Sequence, residues 1–491
     1  MKMADVVAFY DTEQVKIGEQ GIANALKITM YELMQKAGTA VFQTLVQSYP
    51  DARSLIIFVG KGNNGGDGYI VARLALLAGY SVQVHHHGDQ NRLTSDSHKA
   101  KQDYLNAGGS LLAYDDLDFQ NIDLVIDALL GTGLNGDVYP ETCALIHKIN
   151  HLNLPIMSID IPSGLCANTG FASKDVIKAD ITVCLIAIKS GLITGSAREY
   201  VGKLVLDDLG VNEPFCKNAF AKGILTYAKI KPRKPTYHKG NSGHSLVIGG
   251  DAGMGGALLL SSEACLRSGA GLVASLTDTT NVMPSLVRTP EVMASDWQDQ
   301  EMLSQRLSWA TALGFGPGLG LSSFAKHLFI QISQQTLHKV FDADALNILS
   351  LTPNFDDLRI LTPHPGEAAR LLNCTIKDIE QDRYQAVQKI QSKYGGVVVL
   401  KGAGTVIYDG EQFFVCAIGN ASMATGGMGD VLTGVITSLL AQGYNTTQAA
   451  VYGVHIHSLA GDLAAKTKPV GLIASDVIAY LSNAVYLSSN G

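Results

Sequence analysis

The sequence is poor in aromatic and charged residues. Aromatic residues make up 7% of its 491 residues and charged residues 16%, whereas about 25% of an average soluble domain is charged. Basic residues do not outnumber acidic ones, 37 against 44, and the net charge is −7. Nothing in this balance attracts nucleic acid or anionic lipid. No apolar run approaches the ~18 residues that span a bilayer. We therefore expect no nucleic-acid partner and no membrane partner.

The cysteines contain no Cys-x-x-Cys pair, and their number, seven, is odd. A scattered set of this kind excludes a small disulfide scaffold and predicts reduced, buried thiols. Near the N-terminus, Asp5 and Asp11 interrupt the segment in which a secretory signal would be continuously apolar. These features predict a cytoplasmic protein.

Glycine and aliphatic residues are abundant. The chain has 51 glycines and is 46% hydrophobic, a composition typical of parallel β-sheets buried between helices. Apolar segments of strand length alternate with helical patterns in both halves, which predicts an α/β fold. The predicted strands are 55–59, 81–85, 122–126, 155–159 and 181–187, then 245–248, 310–313, 339–341, 359–361 and 397–400.

A segment between Asn212 and Asn241 contains the proline- and lysine-rich run Lys231-Pro-Arg-Lys-Pro235. Such a run neither packs nor sustains a helix, so it indicates a boundary. We place one domain at 1–222 and a second at 223–491.

In the first half, a glycine-rich run, Gly60-Lys-Gly-Asn-Asn-Gly-Gly-Asp-Gly68, follows a predicted strand and precedes a helical pattern at 69–78. It contains Gly-x-Gly-x-x-Gly, which suggests a dinucleotide fold and hydride transfer. It also fits a structural turn. A third interpretation is that its backbone N–H groups and asparagine side chains hold a phosphate group and a cation.

Two further strand ends favour a cation. Asp127 leads into the segment 131–137, and Asp160 leads into Ile-Pro-Ser163-Gly. Carboxylate and hydroxyl oxygens at neighbouring strand ends suit a hard ion. A single aspartate at such a position is more often a turn or helix cap.

These three segments, in this order and with Leu33–Gly38 before them, resemble the NAD(P)H-hydrate epimerase domain. The resemblance implies that K⁺ is held through Asn64, Asp127 and Ser163. We expect Asp160 to handle the proton when the hydroxyl-bearing C6 of the reduced ring is inverted. The residues implied to hold hydrated NADH or NADPH (NADHX or NADPHX) are Asn63, Asn64, Gly65, Gly66, Asp67, Gly131, Thr132, Gly133, Leu134, Asn135, Gly136, Asp137 and Asp160.

The second half contains Gly426-Gly-Met-Gly-Asp430 directly before a predicted helix. Backbone N–H groups and the helix dipole there would hold a phosphoryl group, and Asp430 would be the base for an attacking hydroxyl. This arrangement resembles that of ribokinase-like sugar and vitamin kinases. A purely structural helix start is the alternative. The chain has no Gly-x-x-x-x-Gly-Lys-Ser/Thr, which excludes a P-loop.

Other segments of this half also follow the ends of predicted strands. Lys401–Thr405 supplies a cation and flexible backbone for nucleotide phosphates, and prolines on both sides fix His364. Asp342 and Asp344 could contact magnesium through water or simply cap a helix, and both interpretations stay open.

With Gly249–Ala257 and Gly316–Gly320, these segments resemble the ADP-dependent NAD(P)H-hydrate dehydratase domain. The chain as a whole is thus similar to bifunctional NAD(P)H-hydrate repair enzymes. The resemblance implies two three-layer α/β domains, Rossmann-like then ribokinase-like, with ADP as cosubstrate and Mg²⁺ at the dehydratase site. The hydrated cofactor would contact Ala257, Gly318, His364 and Asp430. The implied nucleotide contacts are Lys401, Gly402, Ala403, Gly404, Thr405 and Gly429.

One position departs from that pattern: Met428 stands where the family usually has Thr or Ser, so a hydroxyl contact to phosphate is lost.

Three alternatives remain at this stage. They are a ribokinase-like small-molecule kinase fused to a nucleotide-binding domain, a first half that binds without catalysing, and an NAD dehydrogenase. The weakly charged composition also leads us to expect a homo-oligomer.

Overall fold

The computed structural model describes residues 7–133, 138–172 and 174–489. The chain forms two compact units, one of Ala8–Gly223 and one that contains Ile224–Gly491. Among the described residues, no helix is both long and apolar enough to cross a membrane.

The first unit alternates strands and helices. Its elements are β1 (Ala8–Tyr10), α1 (Thr12–Leu26), α2 (Met30–Ser48), β2 (Ser54–Val59), α3 (Asn63–Leu77), β3 (Ser81–His86), α4 (Ser95–Asn106), β4 (Leu124–Ala128), α5 (Pro140–Asn150), β5 (Ile156–Ile159), β6 (Ile181–Leu185), β7 (Ile188–Lys189), β8 (Lys203–Asp207) and α6 (Asn212–Cys216).

Six of these strands form a parallel sheet in the order β3-β2-β4-β5-β6-β8. Alternate residues of β2 face opposite sides: Leu55 and Ile57 pack in a core with α2 and α3, whereas Ile56 and Phe58 pack with α5. The sheet is therefore buried between two helical layers, which confirms the Rossmann-like architecture predicted for this half. The carboxyl ends of its strands lie at one edge, where open α/β sheets bind ligands.

The start of α3 differs from the prediction. The helix begins at Asn63, not at 69, so most of the glycine-rich run is helical. Close packing explains the glycines: a Cβ on Gly65 would lie 2.0 Å from the carbonyl oxygen of Gly60, and a Cβ on Gly60 would lie 1.9 Å from that of Leu129. Glycine at these positions lets the helix begin directly against the strand ends.

The second unit repeats the alternation. Its elements, preceded by the boundary strand β9 (Gly223–Leu225), are β10 (His244–Ile248), α7 (Gly255–Arg267), β11 (Leu272–Thr277), α8 (Thr279–Arg288), β12 (Val292–Asp296), α9 (Gln300–Trp309), β13 (Ala312–Phe315), α10 (Ser323–Ser333), β14 (His338–Phe341), α11 (Asp344–Leu351), β15 (Arg359–Leu361), α12 (Pro365–Leu372), α13 (Ile376–Gln381), α14 (Arg383–Tyr394), β16 (Val397–Leu400), β17 (Thr405–Tyr408), β18 (Phe413–Cys416), α15 (Met428–Ala441), α16 (Thr446–Ala465) and α17 (Ala474–Ser489).

Seven strands of this unit are parallel, in the order β12-β11-β10-β13-β14-β15-β16, and β17 and β18 continue the sheet antiparallel. On one face, Val340 and Val399 pack with α15, α16 and α17. On the other, the ring of Phe329 from α10 contacts those of Phe315 and Phe341. This is the three-layer arrangement predicted for the second half.

The cysteines are all free, as predicted. The prediction that all are buried is wrong for Cys216, which is exposed, and for Cys166 and Cys374, which are half-buried.

Candidate active sites

A cavity of about 730 Å³ opens at the carboxyl ends of the strands of the first unit. It is lined by many of the residues that the sequence singled out: Asn63, Asn64, Asp67, Gly131, Thr132, Gly133 and Asp160. Gly131 lies beside Asn64, since a Cβ on this glycine would be 3.0 Å from the Asn64 Cβ. The structure thus brings the two predicted substrate loops and Asp160 together.

Other predicted residues of this half do not line the cavity. Gly65 and Gly66 are packed within the start of α3, where a Cβ on Gly66 would meet Met34. Asp127 and Ser163 are buried behind the cavity wall. The predicted substrate residues Leu134, Asn135, Gly136 and Asp137 lie outside the described residues.

The three predicted potassium ligands meet around Leu130. The Asn64 amide donates to the Leu130 carbonyl (2.7 Å), and the Leu130 N–H donates to Ser163 Oγ (2.8 Å), which itself donates to Asp127 Oδ1 (2.6 Å). Burial raises the pKa of Asp127, although its hydrogen bonds oppose the shift. Asn64 Oδ1 is buried and has no hydrogen-bond partner among the described residues. The cluster therefore offers an oxygen that a cation could satisfy.

Asp160 is held in an ion pair at the end of β5. Its backbone is left-handed, with φ 65°, a conformation that costs energy in a non-glycine residue. Its Oδ1 accepts hydrogen bonds from the Leu185 N–H (3.1 Å) and from Lys189 Nζ. The Lys189 side chain is buried; burial would lower its pKa, but Asp160 raises it above the ordinary range. Lys189 is therefore a cation fixed against Asp160.

Among the further carboxylic acids that line the same cavity are Glu19 from α1 and Asp67 from α3. Burial raises the pKa of each, and their mutual repulsion with Asp160 adds to the shift of Asp67. Sequence reasoning missed Lys189 and Glu19. The signals were present: Lys189 ends an apolar run, and Glu19 falls on the buried face of its helix, four residues after Val15.

The second site lies at the N-terminus of α15. Gly427 caps the helix with φ 90°, and Asp430 is its third residue. The Asp430 carbonyl accepts a hydrogen bond from Ser261 Oγ of α7 (2.8 Å), which ties the two helices together. Burial, reinforced by the charge of Asp342, raises the pKa of the half-buried Asp430 to about 7. Such a carboxylic acid can exchange a proton near neutral pH.

A lysine and two carboxylates lie beside Asp430. Lys401 Nζ lies 2.6 Å from Asp342 Oδ1 and 3.8 Å from Glu367 Oε2. The Thr433 hydroxyl donates to the other oxygen of Asp342 (2.8 Å). Burial opposes ionisation of Asp342, but Lys401 brings its pKa below the usual value. A Cβ on Gly429 would lie 3.1 Å from Lys401 Nζ, so the ammonium group lies against the helix start.

The predicted substrate residues of this half fall into two groups. His364 caps α12: its N–H donates to Glu367 Oε2 (2.8 Å), and its Nδ1 accepts from the Gly366 N–H (3.0 Å). It is therefore joined to the lysine cluster through Glu367. Gly318 and Ala257 form the second group, since a Cβ on Gly318 would lie 3.4 Å from the Ala257 Cβ. Ala257 stands near the start of α7, the helix whose Ser261 reaches Asp430.

The loop between β16 and β17 comprises four of the predicted nucleotide residues, 401–404, and the fifth, Thr405, begins β17. Arg383, whose side chain is 1% exposed, donates to the carbonyls of Leu400 (3.0 Å) and Lys401 (3.1 Å), and to Glu380 (2.7 Å). The loop closes on itself through a bond from Thr405 Oγ1 to the Gly402 carbonyl (3.1 Å). A buried arginine thus fixes the backbone from which Lys401 extends.

Among the described residues, no three His, Cys, Asp or Glu side chains form a metal-binding group. Both oxygens of Asp342 are already engaged, and Asp344 accepts from the Gly320 N–H (2.9 Å) and from Asn347 (3.2 Å). Met428 is buried in the core of the second unit, so it lends no polar group to the helix start.

Comparisons with known proteins agree over both units. The family described as NAD(P)H-hydrate dehydratase matches residues 245–483, and the family described as YjeF-related protein N-terminus matches residues 30–191. The chain is 46% identical over 479 residues to the bifunctional NAD(P)H-hydrate repair enzyme of Vibrio cholerae, covering 96% of this chain and 97% of that protein. It is 42% identical over 480 residues to the enzyme of that name from Escherichia coli, with 96% and 93% covered.

Among solved structures, a ribokinase-like superfamily protein from Enterococcus faecalis matches with a TM-score of 0.51 and 32% identity, covering 53% of this chain and 93% of that one. A protein from Streptococcus mutans matches with a TM-score of 0.50, 32% identity and coverage of 53% and 96%. The ribokinase-like fold predicted for the second half is confirmed.

Proposed function

The chain belongs to the bifunctional NAD(P)H-hydrate repair enzymes, and we propose that it carries out the two reactions at the two sites described above. The first half epimerises hydrated nicotinamide cofactors, and the second half dehydrates them. We assign the epimerase to residues 1–222 and the dehydratase to residues 223–491. The substrates are NADHX and NADPHX, with ADP as the cosubstrate of the dehydratase.

In the dehydratase, Asp430 is the base. It takes the proton of the C6 hydroxyl of the S hydrate, and the oxygen attacks the terminal phosphorus of ADP as the bond to AMP breaks. Phosphate is a far better leaving group than hydroxide, so the C6–O bond then breaks with help from the ring nitrogen's electrons. Loss of a ring proton restores the dihydropyridine. The N–H groups at the start of α15 stabilise the charge on the transferred group.

One observation carries this proposal: Asp430 stands half-buried at a glycine-capped helix N-terminus, with its pKa raised to about 7. A base in that state is partly ionised at neutral pH and can accept a hydroxyl proton. Lys401, close to Gly429, supplies the positive charge that nucleotide phosphates require. We place ADP along residues 401–405 and Gly429, and the hydrate against Ala257, Gly318 and His364.

Replacing the base tests the proposal. We expect Asp430→Asn to lower the ADP-dependent dehydration of the S hydrate by about 10²–10⁴-fold, the usual value of a general base. The measurement is recovery of reduced-nicotinamide absorbance. Conversion of R hydrate to S hydrate by the same sample, without ADP, is the internal control and should be unchanged. Dehydration at the wild-type rate would contradict the proposal.

A small-molecule kinase is the second candidate, because the same base would serve phosphorylation alone. It predicts a stable phosphorylated product that accumulates with ATP and no recovery of reduced cofactor from the hydrate. The match of both halves to a repair enzyme argues against it.

For the epimerase, we propose that Asp160 exchanges protons with the substrate and that Lys189 positions it. Their direct contact within a cavity lined by both predicted substrate loops supports this assignment. Asn63, Asn64, Asp67 and residues 131–133 would contact the hydrated cofactor.

We also propose that this site holds K⁺. The unpartnered, buried Asn64 Oδ1 supports this assignment, with Asp127 and Ser163 as its neighbours. The ion would supply positive charge near the phosphates of the substrate. Replacement of K⁺ by a bulky organic cation should slow epimerisation and leave dehydration unaffected. Equal epimerase rates in both salts would refute the potassium site.

Asp342 does not fit as a direct ligand of Mg²⁺, because its two oxygens already accept hydrogen bonds from Lys401 and Thr433. We propose that Mg²⁺ reaches the dehydratase site on the phosphates of the nucleotide, with water completing its shell, as is usual for this ion.

Two broader assignments complete the proposal. The free cysteines support a reducing, cytoplasmic location. Exposed apolar side chains on α8, including Met283 (67% exposed) and Val287 (80% exposed), support a homo-oligomer. Light scattering on a size-exclusion column would test the assembly, and a monomeric mass would refute it.

A further inference from the structure

Glu19 lines the cavity of the first unit, although it lies far from the two loops and from Asp160 in sequence. It is carried by α1, which buries Val15, Gly18 and Ile22. Close packing holds this helix: a Cβ on Gly18 would lie 2.3 Å from the ring of Phe215. Glu19 therefore faces the same cavity as Asp160 from a firmly seated helix.

The charges around this cavity are unbalanced. Six carboxylic acids line it, Glu19, Asp67 and Asp160 among them, together with three cationic side chains, Lys61, Arg92 and Lys189. Of these three cations, Lys189 is buried. Lys189 donates a hydrogen bond to Asp160, so its charge is already paired within the cavity. No hydrogen bond to the Glu19 side chain is found among the described residues. Burial and the charge of Asp160 raise its pKa, while Lys189 and Lys16 of the same helix oppose the shift. Glu19 thus offers the cavity a carboxylic acid that no ion pair among the described residues engages.

Inversion at C6 needs two groups, one that donates a proton and one that accepts a proton. The carbon carries a hydroxyl and the ring nitrogen. An acid protonates the hydroxyl, the C6–O bond breaks, the nitrogen lone pair forms a C6=N bond, and water leaves. Water then adds to the opposite face, the nitrogen recovers its electron pair, and a base takes the proton of the added water. The reverse reaction exchanges the two roles, so one acid and one base are required in each direction.

We propose that Glu19 is a second catalytic residue of the epimerase, acting on the face of C6 opposite to Asp160. In one direction Glu19 gives its proton to the departing hydroxyl, and Asp160 takes a proton from the incoming water. One proton has then moved from Glu19 to Asp160, and it returns through solvent or through reversal of the reaction. This inference rests on the proposed role of Asp160.

The test compares Glu19→Gln with Glu13→Gln, an exposed residue of the same helix that does not line the cavity. Epimerisation of R hydrate is measured without ADP, and the melting temperature is measured for each variant. We expect Glu19→Gln to lower kcat by about 10²-fold or more, with KM, melting temperature and ADP-dependent dehydration of the S hydrate unchanged. Glu13→Gln should behave as the wild type. In H₂¹⁸O, wild-type turnover should place one ¹⁸O at C6 per inversion.

Asp160→Asn and Asp67→Asn separate the possible failures. An Asp160→Asn variant with the wild-type rate would refute the proposed epimerase site itself. A loss in Asp160→Asn with Glu19→Gln within twofold of the wild type would overturn the role of Glu19 alone. A loss of kcat in Asp67→Asn without one in Glu19→Gln would assign the acid to Asp67. Inversion without incorporation of ¹⁸O would also overturn the role of Glu19, because the hydroxyl would then never leave.

Discussion

The two candidate sites use a lysine in different ways. In the first unit, Lys189 is bonded directly to Asp160, the proposed proton-handling residue. In the second, Lys401 pairs with Asp342 at 2.6 Å, and Asp430, the proposed base, stands beside that pair. The pKa of Asp430 rises to about 7 because the neighbouring carboxylates and burial outweigh the lysine. Lys189 therefore holds its carboxylate directly, whereas Lys401 acts on Asp430 through its charge, as a neighbour.

The difference suits the two reactions. Epimerisation needs one group that gives a proton and one that takes it, and the roles exchange in the reverse direction, so a lysine that positions one of them serves both directions. The dehydratase base must take a proton and then release it after the phosphoryl group has moved, which favours a pKa near the working pH.

Removing the first lysine should have the largest effect. We expect Lys189→Met to lower the epimerase rate about 10²-fold or more, because Asp160 loses the hydrogen-bond donor that positions it. Loss of one partner of a buried pair also costs about 3–5 kcal/mol of unfolding free energy, measured by denaturant unfolding. Lys339→Met is the matched control, since Lys339 is equally buried and lies 2.8 Å from Asp356. The Lys339→Met variant should lose stability and keep its epimerase activity. Full epimerase activity in Lys189→Met would contradict the fixed ion pair.

Changing the second pair should shift a pH profile in opposite directions. Lys401 lowers the pKa of Asp430 and Asp342 raises it. We expect Lys401→Met to move the rising limb of the dehydratase profile to higher pH, because the base then ionises later. Asp342→Asn should move it to lower pH. Both substitutions are also expected to lower the overall rate. The quantity compared is therefore the pH at the midpoint of the rising limb of kcat/KM. Shifts in the same direction would refute this electrostatic account.

The smallest predicted effect tests how the nucleotide loop is held. Arg383→Met removes the bonds to the carbonyls of Leu400 and Lys401, and we expect the KM for ADP to rise about tenfold, or ~1.4 kcal/mol. The KM for the hydrate should change little. Arg359→Met is the control. This buried arginine begins β15 and donates to the carbonyls of Asn354 and Tyr394. These contacts lie at the amino end of its strand, whereas the nucleotide loop follows the carboxyl end of β16. An equal rise in both variants would show loss of stability rather than loss of loop position.

Much of this architecture could be predicted from sequence. Parallel strands such as Val397–Leu400 are nearly continuous aliphatic runs, and glycines mark their ends. The loops around Asn64, Asp127 and Asp160 were found because polar residues at the ends of parallel strands converge at one edge of the sheet.

Partnerships between distant residues could not be predicted in this way. Asp342 was expected to contact magnesium or to cap a helix, but it binds Lys401, 59 residues away. Lys189 reaches Asp160 because the backbone turns at Ile186, whose φ is 67°, and resumes as β7. The start of α3 at Asn63 brings Gly65 against the carbonyl of Gly60, an approach that a Cβ would block. Spacing in sequence carries no information on such contacts.

The pH dependence of the dehydratase tests the central claim most directly. Asp430 acts only when ionised, and its raised pKa means that half of it is ionised at about pH 7. We therefore predict that kcat/KM for the S hydrate, at saturating ADP, rises with pH through a midpoint near 7. The residual rate of Asp430→Asn should lack this limb. A profile that is flat from pH 5 to 8, or a midpoint that survives in Asp430→Asn, would contradict the assignment of Asp430 as the base.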